Sequence, residues 1–100
     1  MKRKFKTKLF HDLSEKYINP AMYVLDNWHI LVARAKRAGI EDAGKFSCPQ
    51  SSTVCKWFHA LERGEEISDY AARLIRALFF PRLGWVTFYR RYVNLNEKEK

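Results

Sequence analysis

A chain of 100 residues fits one domain with one hydrophobic core, and a hydrophobic content of 47% with 15% aromatics is enough to fill it, which argues against disorder along the whole chain. Nineteen Lys and Arg against eleven Asp and Glu leave a formal net charge of +8, an excess that attracts polyanions through its long-range field. Apolar runs such as Ile30–Ala33 and Ala77–Phe80 fall far short of the roughly 20 residues a spanning helix needs, so no membrane partner is expected. The basic start Met1-Lys2-Arg3-Lys4 runs into alternating Phe, Lys, Thr and Leu with no apolar block, so a cytoplasmic location is expected.

Lys2, Arg3, Lys4, Lys6 and Lys8 crowd the first eight residues, which read as a flexible basic arm. Residues 9–93 read as a single domain and 94–100 as a polar tail. Leu9, Phe10, Leu13 and Tyr17 recur at three- and four-residue spacing, predicting a helix from about Leu9 to Ile18. Asn19 then suits a helix cap and Pro20 a first helical turn, so a second helix is expected to run to about Ala38 and stop at Gly39.

Ile40 to Phe46 predicts a short helix, broken by Ser47-Cys48-Pro49-Gln50. Ser51 or Ser52 can cap the next helix, in which Val54, Trp57, Phe58 and Leu61 form the apolar stripe. Ser68 and Asp69 open a further helix whose apolar positions Ala71, Leu74, Ile75, Leu78 and Phe79 repeat up to Pro81. Trp85 to Val93 is rich in β-branched and aromatic residues, which favours strand, with helix as the alternative. The fold class is therefore mainly α: a compact bundle of about four to five helices with a short C-terminal strand or dimerisation segment.

A helix-turn-helix needs small residues where its first helix is approached closely, a tight turn, and apolar anchors on the second helix. Ala43 and Gly44, Ser47 to Pro49, and Val54 with Trp57 supply those parts. The run Ser51-Ser52-Thr53-Val54-Cys55-Lys56-Trp57-Phe58, then Gly64 and the helix from Ser68 to Leu78, resembles the second half of Cro- and repressor-like helix-turn-helix proteins of bacteria and phages. The resemblance covers about residues 40 to 80. It departs at the turn, where the family has Gly and this chain has Ser47, Cys48 and Pro49.

That resemblance implies a small transcriptional regulator of phage or mobile-element origin that binds duplex DNA. It places Gln50, Ser51, Ser52, Cys55, Lys56 and His59 against base edges: Gln can bond the N6/N7 edge of adenine, Ser is permissive, and Lys reaches guanine or phosphate. Lys2, Arg3, Lys4, Lys6, Lys8, Arg34, Arg37 and Lys45 are the expected phosphate contacts, which set affinity without choosing sequence. Because one recognition helix reads only a few base pairs, a homodimer is expected, with Trp85 to Val93 as the pairing surface.

No catalytic residues, metal, cofactor or small-molecule substrate are expected: there is no glycine-rich phosphate loop and no nucleophile with a recognisable base. Cys48, Cys55 and His59 could be imagined as zinc ligands, but Cys-x6-Cys-x3-His lacks a fourth partner at a usual spacing. Two cysteines are also too few for a disulfide framework. The competing readings are a protein-interaction module that binds a host complex through its basic face, and RNA binding.

Overall fold

The computed structural model describes residues 2–92, with the side chains of Lys2 and Arg3 excepted; the expected tail 94–100 lies outside the described residues. Six α-helices, one 3-10 segment and two short strands follow in order: β1 (Lys2–Lys4), α1 (Thr7–Lys16), α2 (Pro20–Asp26), α3 (Trp28–Arg37), the 3-10 segment Glu41–Lys45, α4 (Ser51–Arg63), β2 (Glu66–Ser68), α5 (Asp69–Phe79) and α6 (Trp85–Tyr92). The mainly α class holds, with more helices than expected. None of the helices is long and apolar enough to cross a membrane, among the described residues.

Within the expected flexible arm 1–8, Lys2–Lys4 form the strand β1 and Thr7 already opens α1. β1 pairs antiparallel with β2, setting Lys4 opposite Glu66, a cross-strand pair of opposite charge. Phe5 then drops into the core, and the Lys6 N–H donates to the Tyr92 carbonyl at 2.7 Å. One aromatic among five cations is what fixes the segment.

The expected second helix is two. At Asn27 the backbone leaves helical geometry, and the Asn27 side chain donates to the Tyr23 carbonyl at 3.0 Å, a local bond that competes with helix continuation. The side chain of Asn19 caps α2 at Met22 N–H, and that of Ser68 caps α5 at Ala71 N–H. Gly64 ends α4 with φ of +70°, the left-handed conformation that glycine adopts without a Cβ penalty.

The C-terminal segment, for which composition favours strand over helix, is the helix α6. Trp85, Phe88, Tyr89 and Tyr92 recur at helical spacing, and they bury or half-bury on the core while the β-branched Val86 and Thr87 face out. Periodicity overrides β-rich composition here. The ring of Phe88 lies 5.8 Å from Phe5, 5.7 Å from Phe80 and 5.5 Å from Tyr92. The aromatic surplus read as a pairing surface is thus absorbed by the chain's own core.

The main core joins Leu9 and Leu13 of α1, Val24 of α2, Trp28 and Leu31 of α3, Val54, Phe58 and Leu61 of α4, and most of the apolar side of α5. Phe79 gathers a second aromatic group beside that of Phe88, with ring centroids 5.2 Å from Tyr17, 6.0 Å from Phe58 and 6.3 Å from Tyr23. A smaller cluster of Ala35, Ala43 and Ala77 lets α3, the 3-10 segment and α5 approach closely.

Candidate nucleic-acid interface

α4 is held from one side. Val54, Phe58 and Leu61 are buried at three- and four-residue spacing, and α1, α2 and β2 are its principal packing neighbours. Gln50, Ser51, Ser52, Cys55, Lys56 and His59 are all exposed, so the six expected base-reading residues share the outward side of the helix and its leading turn. Trp57 differs from the expected inward anchor: it is half-buried, packed at the edge of the core, and Phe58 takes the interior position.

Like α1 and α3, α4 begins without a side-chain cap. Its N-cap position is Gln50, and no side chain caps the first-turn amides, whereas Asn19 and Ser68 perform that task for α2 and α5. Ser51 and Ser52 lie inside the helix and leave those amides uncapped. A first turn with exposed, uncapped N–H groups carries a partial positive charge suited to an anion.

The first half of the expected helix-turn-helix is much reduced. Ile40 to Phe46 forms the single 3-10 segment Glu41–Lys45, whose buried Ala43 packs with Ala35 of α3 and Ala77 of α5. Gly44 is a poor helix former, and Pro49 holds the chain before it extended, so the stretch from Phe46 to Gln50 runs to α4 without helix.

Of the expected phosphate contacts, Lys4, Lys6, Lys8, Arg37 and Lys45 are exposed. Lys2 and Arg3 lie in β1 by backbone pairing. Arg34 is not free: it is half-buried and one terminal N–H donates to the Leu78 carbonyl, so it ties α3 to the end of α5. Arg76 acts similarly, its Nε–H donating to the Leu83 carbonyl at 3.0 Å while the guanidinium lies 5.9 Å from the Trp85 ring centroid.

Cys48 and Cys55 are exposed and unbridged. Among the described residues, the one group of three His, Cys, Asp or Glu ligand atoms within 4.8 Å of one another is His11, Asp12 and Glu15 on α1, so Cys48, Cys55 and His59 do not converge. Asp12 has a neighbour of its own, accepting from the Tyr92 hydroxyl at 2.7 Å. Burial and this bond to Asp12 push the Tyr92 hydroxyl from 10.0 up to about 12, so it remains a donor at neutral pH. That pairing is a structural tie between α1 and α6, and sequence spacing gives no sign of it.

Comparison with protein-family models, with characterised proteins and with solved structures finds no match.

Proposed function

We propose that the chain binds duplex DNA through α4, as a small transcriptional regulator acting as a homodimer. The observation that carries this reading is the pairing of a buried inner side, Val54, Phe58 and Leu61, with an outer side whose polar residues Gln50, Ser51, Ser52, Lys56 and His59 all face solvent, from the N-cap along the first nine residues of the helix. A helix of 13 residues is long enough to lie in a major groove, and these side chains offer donors and acceptors to base edges. Exposed Lys4, Lys6, Lys8, Arg37 and Lys45 supply cations for phosphate. The two-fold assembly follows from the short reach of one helix, and α6 is not its interface in this reading.

Selection of binding sites from random duplex DNA tests the proposal, with the joint substitution Gln50→Ala, Ser52→Ala and Lys56→Ala as its partner. Enrichment of a palindrome is the expected result, together with loss of that specificity in the variant. All three residues are exposed, so the variant should stay folded, with a stability change of about 0.5 kcal/mol or less for each position. Full specific binding by the variant would remove α4 as the reader.

A protein-interaction role has one observation of its own: Ile18 is fully exposed and Met22 half-exposed, beside a cleft that Cys55 and His59 also border. Retained association with a protein partner by the triple variant, with no DNA selected, would favour that reading.

A further inference from the structure

The connection between α5 and α6 forms a cleft of about 390 Å³ that the α4 reading does not use. Arg34 of α3, Arg82 of the connection and Arg91 of α6 border it, and Phe79, Phe80 and Leu83 supply apolar wall. The volume falls within the range of small-molecule sites. A groove for a polynucleotide backbone has no need of such walls.

Arg34 is the informative residue. It is half-buried, and among the described residues its one hydrogen-bond partner is the Leu78 carbonyl and its buried Nε–H has no acceptor. Among the described residues no carboxylate forms an ion pair with Arg34, Arg82 or Arg91. A cation held against apolar surface without a counter-charge is costly, and an anion seated in the cleft would offset that cost. Guanidinium groups match the planar array of oxyanion acceptors.

We propose that this cleft binds a small phosphomonoester with an apolar body, its phosphate between Arg34 and Arg82 and its apolar part on Phe79, Phe80 and Leu83. Two or three arginines suit a dianion better than a single carboxylate. Arg91 contributes less, because it also borders the neighbouring cleft that contains Asp12 and Glu15. The site lies on α3, the end of α5, α6 and the connection between α5 and α6, so it stands whether or not α4 reads DNA.

The test is an NMR titration of the full chain with phenyl phosphate, with inorganic phosphate and phenol as separate arms. Saturable shifts confined to residues 79–83, Arg34 and Arg91 are expected, with phenyl phosphate at least tenfold tighter than inorganic phosphate. Arg82→Gln should weaken phenyl phosphate at least fivefold without changing the melting temperature, since Arg82 is exposed. Arg34 is left intact in this test because it also holds the Leu78 carbonyl. Equal affinity for the two phosphates would mean an adventitious ion only, and unchanged affinity in Arg82→Gln would place the ligand elsewhere; either overturns the proposal. Displacement of phenyl phosphate by a trinucleotide with a free 5′-hydroxyl would assign the cleft to nucleic acid and overturn it as well.

Discussion

Replacing Phe88 by Ala measures whether α6 belongs to the chain's own core. The side chain is fully buried, and its ring lies between 5.5 and 5.8 Å from those of Phe5, Phe80, Trp85 and Tyr92. Emptying a buried Phe site costs roughly 3–5 kcal/mol, because the favourable transfer of the ring out of water is forfeited and the cavity relaxes only in part. A domain of this size has a total stability of about 5–15 kcal/mol, so the variant would be marginal. Each kcal/mol moves the melting temperature of such a domain by about 4–8 °C, which gives a fall of at least about 12 °C. Urea unfolding followed by circular dichroism at two protein concentrations is the assay, with Val86→Ala as the control. Val86 lies on the same helix but is 64% exposed, so its truncation should stay within about 0.5 kcal/mol. A loss below about 1 kcal/mol for Phe88→Ala would refute the placement of α6 on the core. A wild-type midpoint that rises with protein concentration, and ceases to do so in the variant, would return α6 to a pairing role.

The Tyr92 hydroxyl is raised from 10.0 to about 12 in the folded state, so its contribution is fully present below pH 10 and is lost as pH rises from 10 towards 12. Wild type should therefore lose roughly 2 kcal/mol more than Tyr92→Phe over that window in urea unfolding, and parallel curves would refute the burial of this hydroxyl against Asp12. Deleting residues 1–8 should unfold the domain, because Phe5 is buried and β1 pairs with β2; a folded fragment with a native melting curve would contradict that. Changing Lys4, Lys6 and Lys8 to Gln should instead leave the fold intact and lower the salt dependence of DNA binding by about 0.9 in log–log slope for each phosphate no longer neutralised, read from titrations at several salt concentrations. Gly64→Ala should cost about 1–2 kcal/mol, since φ is +70° and the added Cβ would meet Thr7 Cγ2 at 3.3 Å; an unchanged urea midpoint would show that the turn relaxes freely.

Local signals in the sequence locate most elements. Asn19-Pro20 and Ser68-Asp69 mark the starts of α2 and α5 because capping and proline placement are local effects, decided within one turn. The exposed side of α4 is legible for the same reason: Val54, Phe58 and Leu61 fix which way the helix faces. What composition conceals depends on distant partners. β1 forms because β2, more than sixty residues later, offers an edge, and Phe5 is buried because Phe88 and Tyr89 lie beside it. The break at Asn27 rests on a side-chain bond that periodicity does not register. In α6 the helical spacing of Trp85, Phe88, Tyr89 and Tyr92 is present in the sequence, but β-branched content masks it. Arg34 reads in the sequence as an exposed contact for a phosphate backbone; the Leu78 carbonyl and the half-buried setting beside the α5–α6 cleft come from distant residues that the sequence does not place next to it.

The structure divides the cations by what their N–H groups already do, and this bears on any polyanion the chain meets. Arg34 and Arg76 donate to the carbonyls of Leu78 and Leu83, tying α3 to the end of α5 and α5 to the connection before α6; both keep their charge but are half-buried, so less of the net charge of +8 lies where an extended phosphate backbone can touch it. Lys4, Lys6 and Lys8 are exposed but rooted in a paired strand and the first turn of α1. A tethered row of this kind loses less conformational freedom on binding than a mobile arm does, although it cannot reach around a duplex into a distant groove. If α4 reads DNA as proposed, such a fixed patch contributes affinity and orientation, and sequence choice falls to what α4 presents. The same division leaves Arg82 as a cation with exposed N–H groups beside an apolar cleft, where a compact amphipathic anion is a better match than an extended polymer.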